Sequence, residues 1–245
     1  MAFSIPVNIY LTLHLNFSVR TFRNIFFLLF LFCNLCMQGQ VKFSLATDLS
    51  LLNNFDGRQK FTVVGQSLIP QWHLDKKNSI YTWFSYHANG KYKSTLVANA
   101  KSPSTQPQAI SFTNQSEMRL RQFSFGLKRY FLGSFEKLEN FSLYGAAGFG
   151  LIIGSASNNF STFIDTALYT VQNNVVNGTG DFKRLTFDII GGIDFPVSYE
   201  IFVYTEIRMH IPTTNYPNNY LLKNSNAPFL GGINLGIRVL FNADP

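Results

Sequence analysis

Hydrophobic and polar residues alternate at a period of two through most of the chain beyond residue 40. Val41, Phe43, Leu45, Thr47, Leu49 and Leu51 fall on one side of an extended segment, with Lys42, Ser44, Ala46, Asp48 and Ser50 on the other. Successive side chains of a strand point to opposite faces, so this pattern predicts a strand with one oily face and one small or polar face. It recurs over 141–153, 185–195, 201–209 and 233–241. Three further segments, 59–73, 79–89 and 117–131, are rich in Phe, Tyr, Trp, Val and Thr, but their alternation blurs. Pro70 is expected at a bulge or strand end there, because it has no N–H to give a ladder. No segment keeps a helical period. Eight strands result, most of about 10 to 14 residues, a length that suits a tilted strand crossing a bilayer.

The connections alternate too. Those at Leu74–Asn78, Leu132–Glu139 and Pro196–Tyr199 are short, whereas 90–116, 155–181 and 211–228 read as long polar loops; only the first of that set, near Asn53–Gly57, is compact. Tight turns on one rim and extended loops on the other are the arrangement of an outer-membrane barrel.

Composition explains why no continuous apolar stretch is needed. Only 13% of residues are charged while 46% are hydrophobic and 16% aromatic, with 26 Phe, against roughly 25% charged in an ordinary soluble domain. A chain so rich in large rings is not disordered. Alternation lets it be greasy on one face alone.

The single continuous apolar run, Ile25–Met37, follows Arg20 and Arg23 and precedes Gln38-Gly39-Gln40. It is shorter than the roughly 20 residues a spanning helix needs, and its flanks are those of a secretory signal. Residues 1–40 are read as a cleaved leader and 41–245 as one barrel domain. Cys33 and Cys36 both lie in the leader, so the mature chain carries no cysteine. Removing Arg20 and Arg23 leaves 18 basic against 13 acidic residues, a net charge of +5 in place of +7. The densest basic group, Arg119, Arg121, Lys128 and Arg129, is no sustained run, and nucleic acid is excluded as a partner.

The segments Phe141-Ser-Leu-Tyr-Gly-Ala-Ala-Gly-Phe-Gly150, Val203-Tyr-Thr-Glu-Ile-Arg208 and Gly231-Gly-Ile-Asn-Leu-Gly-Ile-Arg-Val-Leu-Phe241 resemble the small eight-stranded outer-membrane barrels of the OmpA, OmpX and OmpW kind. The resemblance covers 41–241 and implies an all-β, up-and-down transmembrane barrel in the bacterial outer membrane. Such barrels usually end on an aromatic; here Phe241 is followed by Asn-Ala-Asp-Pro.

In a barrel of this size the lumen is only wide enough to be filled by side chains. Lys42, Asp48, Lys128, Asp188, Asp194, Glu206, Arg208 and Arg238 fall on inward faces, and charges in so confined a space are expected to pair into a structural network that plugs it. Arg119 and Arg121 share the face of Phe123, Phe125 and Leu127; either a bulge turns them inward or they meet lipopolysaccharide phosphates. Trp72, Tyr81, Trp83, Tyr130 and Phe131 are expected at the water boundary of the belt. The expected role is non-enzymatic: a membrane anchor, scaffold or accessory subunit of an outer-membrane complex, acting through its loops, with outer-membrane lipid and other envelope proteins as partners. A narrow channel for small or apolar solutes is the alternative. A third is lipid A chemistry of the deacylase or acyltransferase kind, for which Ser85 with His87 and Glu206 with His210 are the candidate groups. No cofactor and no metal site are expected, since no ligand cluster with credible spacing occurs.

Overall fold

The computed structural model describes residues 42–225 and 227–241. The leader, Val41 and the four residues after Phe241 lie outside the described residues, as do the readings made on them. Nine strands follow in order: β1 Lys42–Asn54, β2 Phe61–His73, β3 Asn78–Ala100, β4 Ala109–Leu132, β5 Ser142–Phe160, β6 Tyr169–Val171, β7 Gly178–Pro196, β8 Ile201–Pro212 and β9 Leu230–Phe241. Eight of them close into an antiparallel ring in chain order, β9 pairing back onto β1 and β2 onto β3; the short β6 lies apart, on the upper edge of β3. Closure leaves no open edge through the spanning part, the condition for a sheet in lipid.

The register puts the alternation to use. Leu49, Leu51, Val64, Leu68, Phe84, Phe123, Phe125, Phe149, Leu185, Ile189, Ile207, Ile233 and Leu235 all stand exposed on the outer wall, while Ser44, Asp48, Ser67, Asp188, Glu206 and Arg238 are buried inside. Large apolar side chains arrayed around a ring make a continuous greasy belt, which is stable only against hydrocarbon. The termini of the described barrel, Lys42 and Phe241, lie at the rim of the short turns.

The long connection expected at 90–116 is instead strand. β3 runs on to Ala100 and β4 begins at Ala109, joined by a turn over 101–108. β5 likewise runs to Phe160, and β7 starts at Gly178. The reason is an inversion of pattern. Below, β4 turns Phe123, Phe125 and Leu127 outward and Gln122, Ser124 and Lys128 inward; above, it turns Gln115, Glu117 and Arg119 outward and Phe112, Met118 and Leu120 inward. β3 switches in the same way across a register shift between His87 and Gly90, after which Lys91 and Lys93 face out and Tyr92, Leu96 and Ala98 face in. The lower barrel is built for lipid. The upper barrel is built for water, with its oil inside. There Leu52, Phe61, Leu96, Phe112, Met118, Leu120, Ile152 and Phe182 pack with Ile164, Val171 and Val175 from the β5–β7 connection and Leu221 and Leu222 from the β8–β9 connection. The last two connections therefore fold over the mouth as a lid of apolar side chains.

The boundary aromatics also divide differently. Trp72 lies on the outer wall and Phe131 is exposed, but Tyr81, Trp83 and Tyr130 point inward and are buried. Their strands are those with blurred alternation: an inward aromatic on one face and outward Phe on the other erase the contrast from which direction is read.

Candidate functional site

The lumen of the lower barrel holds a stack of three polar clusters. At the base, Arg238 donates through Nη2 to Asp194 Oδ2 (3.0 Å) and to the backbone oxygen of Phe135 (2.8 Å), and through Nη1 to Ser44 Oγ (3.1 Å). Lys128 Nζ stands 3.8 Å from Asp194 Oδ2 and 3.4 Å from the ring centre of Tyr144, and Tyr130 donates to the same carboxylate oxygen at 2.7 Å. The β4–β5 turn closes this end. Phe135 stacks on His73 with centroids 3.9 Å apart, and Glu136 accepts from Lys42 at 2.7 Å.

The middle cluster centres on Arg208. Its Nη2 donates to Asp48 Oδ2 (2.9 Å) and also reaches Glu206, to which Nε donates at 2.6 Å. Tyr204 donates to Asp48 (2.9 Å) and Tyr144 to Glu206 (2.7 Å), while Ser67 and Asn234 donate to the other oxygen of Asp48. The guanidinium lies over the Trp83 ring, 4.6 Å from its centre. Two glycines make room for these rings. A Cβ at Gly192 would come within 2.5 Å of Tyr144, and one at Gly236 within 2.5 Å of Tyr204, so each Tyr lies flat across bare backbone of a neighbouring strand.

Above it, Asp188 accepts from Ser124 Oγ (2.5 Å), from His210 Nδ1 (2.9 Å) and from Gln122 Nε2 (3.2 Å), and the His210 ring stacks on Trp83 at 4.8 Å. Arg208, Arg238, Asp188 and Asp194 are all at most 2% exposed. Three cations, Lys128, Arg208 and Arg238, thus face the four carboxylates Asp48, Asp188, Asp194 and Glu206. Each carboxylate also accepts from a neutral donor, which is what makes charge tolerable at this depth.

Of the eight inward charges named from the sequence, seven lie in this stack and the eighth, Lys42, is half-buried beneath it against Glu136; Arg119 and Arg121 stand on the outer wall. The tyrosines, Ser67, Ser124, Gln122 and Asn234 that complete the network were missed, although Tyr144, Tyr204 and Asn234 were legible as inward positions. Phe135 carries no period, because it belongs to a turn. Above the stack, His87 bonds Ser50 Oγ through Nε2 at 2.8 Å rather than Ser85, and His210 meets Asp188 rather than Glu206. Among the described residues no group of three His, Cys, Asp or Glu is placed to hold a metal ion.

No family model and no curated protein sequence matches the chain. Solved structures do match in shape. Neisserial surface protein A superposes with a TM-score of 0.50 at 10% identity, over 80% of this chain and 96% of that one. The attachment invasion locus protein Ail of Yersinia pestis, solved with a heparin analogue, gives 0.46 at 11% identity over 83% and 100%, and OprG of Pseudomonas aeruginosa 0.45 at 9% over 83% and 97%. With its closed ring of eight antiparallel strands, greasy outer wall and polar lower lumen, the chain has the fold of the small eight-stranded outer-membrane β-barrels.

Proposed function

We propose that this protein is an integral outer-membrane barrel with a closed lumen that works as a membrane anchor and scaffold, presenting the rigid upper half of its wall at the cell surface. One observation carries this reading: the lumen is filled twice over, by the ionic stack below and by the apolar core above. An ion crossing it would have to break the Arg208 cluster and then pass through hydrocarbon, each step far above thermal energy. What remains available for function is the outside. The β3–β4 hairpin, with strands of 23 and 24 residues, rises well beyond the belt and offers a stiff polar sheet surface rather than mobile loops.

The test is electrical. Single-channel recording of the chain inserted in planar bilayers is expected to give a flat baseline; regular conductance steps from the wild-type protein would overturn the closed-scaffold reading in favour of a channel. Mild extraction from native membranes complements it, with a stoichiometric companion expected that is lost when the 101–108 turn is replaced by a two-residue Asn-Gly turn.

A further inference from the structure

The outer wall carries a feature that neither the lumen nor the belt accounts for. Tyr86 of β3 pairs with Arg121 of β4, Arg121 with Ile153 of β5, and Ile153 with Lys183 of β7, so all four side chains lie on one outward row across four strands. All four are exposed. Among the described residues neither the Arg121 guanidinium nor the Lys183 ammonium has a hydrogen-bond or ion-pair partner. The row above holds Arg119, Ser155 and Asp181; Arg119 donates to Asn89 Oδ1 at 2.9 Å, and the next carboxylate up, Glu117, is engaged by Lys91 at 3.2 Å. The patch thus has three cations against one uncommitted carboxylate, Asp181.

Immediately below, the wall turns greasy. Phe84 meets Phe123 with ring centres 5.0 Å apart, and Phe123 is followed around the wall by Leu151 and Leu185. A groove of about 560 Å³ opens here across β2, β3, β4 and β5, walled by Leu68, Phe84, Phe123 and Ile153, with Gln66 and Arg121 at its upper end. An apolar groove topped by unpaired cations at the water boundary is complementary to a lipid with an anionic head. Arg121 and Lys183 are two strands apart, about 10 Å along the sheet. At that backbone spacing a headgroup with two separated phosphates gives each cation a partner of its own, without the two side chains having to bend together onto one group.

We propose that this face is a binding site for a bis-phosphorylated glycolipid, the lipid A portion of lipopolysaccharide, with one phosphate on Arg121 and Arg119, a second on Lys183, and an acyl chain in the Phe84–Phe123 groove. The site rests on the outer-membrane reading and deepens it by naming a lipid partner and its side of the barrel. Arg supplies a planar fork matched to phosphate oxygens, and Lys a mobile point charge.

The experiment uses the full chain extracted from membranes in a mild detergent, with lipid retention read by native mass spectrometry. Bis-phosphorylated lipid A is expected to stay bound. Arg121→Ala and Lys183→Ala should each weaken it about fivefold and the double variant about 25-fold, on the scale of one basic residue at an anionic membrane surface. Monophosphoryl lipid A should bind the wild type as weakly as lipid A binds a single variant, Arg121→Lys should recover part of the loss, and Arg58→Ala, in the β1–β2 connection, should change nothing. Unchanged retention in the double variant, equal retention of phosphatidylglycerol, or displacement by millimolar inorganic phosphate would each overturn the site. Failure of the wild-type chain to insert into vesicles would bring down the membrane reading as well; insertion without lipid A preference removes the site alone.

Discussion

Arg208 is the residue on which the lumen depends most directly. Replacing it with Met keeps much of the volume but leaves Asp48 and Glu206 buried, neither with a cation. Tyr204, Ser67 and Asn234 still donate to Asp48 and Tyr144 to Glu206, so the carboxylates are solvated but uncompensated. Removing one partner of a buried pair costs about 3–5 kcal/mol. At a urea slope of about 2–3 kcal/mol/M this moves the unfolding midpoint down by about 1–2 M. Urea titration in vesicles, followed by tryptophan fluorescence, measures the shift, because Trp83 lies directly against Arg208. The control decides the cause. Asp48→Asn with Glu206→Gln in the Arg208→Met background removes the stranded charge and is expected to recover at least half of the loss. A midpoint shift under 0.3 M for Arg208→Met, on the order of 1 kcal/mol or less, or no recovery in the triple variant, would refute the view that charge pairing, rather than packing, holds this level of the lumen.

Other consequences are separable. Gly192→Ala should destabilise the barrel by about 1–3 kcal/mol, since the added carbon drives into Tyr144 and dislodges it from Glu206; Gly192→Ala with Tyr144→Phe should not restore stability, because the ring and not the hydroxyl is in the way. Leu96→Ala should cost about 2–5 kcal/mol as a cavity in the upper core, and should raise protease cleavage of the 101–108 turn while leaving the gel-mobility shift of the intact barrel in place. In the β2–β3 turn, Asp75 is held below its ordinary value of 3.8 by Asn78 and by the backbone N–H of Lys77. A lowered carboxylate pKa stabilises above the unfolded value and loses that contribution as pH falls through the folded one. The turn should therefore be insensitive to pH from neutral down to about 4 and loosen only below it; an NMR titration placing the Asp75 midpoint at or above 3.8 would contradict this.

How much of this was legible depends on which face of each strand the chain made distinctive. β1, β5, β7, β8 and β9 alternate cleanly in the lower barrel, so strand direction, the inward charges and even Tyr144 and Tyr204 could be read from them. β3 and β4 could not be read to their ends. Their lower halves place Trp83 and Tyr130 inward opposite Phe84 and Phe131, and their upper halves reverse the sign of the pattern. A reading that looks for oil on the lipid side finds none there and assigns 90–116 to a loop, although Phe112 continues the inward period of Met118 and Leu120 with the other phase. The individual partners of the network were beyond reach for another reason: cross-strand neighbours such as Tyr144 and Glu206 are set by register, which only the closed sheet fixes.

The reversal of phase on β3 and β4 also explains why one short chain needs two different interiors. Below the reversal the outside is lipid, so burying apolar side chains inside would gain nothing over leaving them on the wall; a polar lumen satisfied by directional bonds is the arrangement that specifies one closed shape. Above it the outside is water, and only an apolar interior yields a net driving force for closure. The crossing point is marked on β4 by two successive polar residues, Arg121 outward directly above Phe123 and Gln122 inward directly below Leu120. At that level neither interior is complete. Gln122 reaches down to Asp188, and Leu120 packs up into the apolar core. The two unpaired cations outside follow from the same boundary: the wall must change from greasy to wet within one step, and a residue with a long apolar stem and a charged head, as Arg121 and Lys183 both have, meets both demands at once.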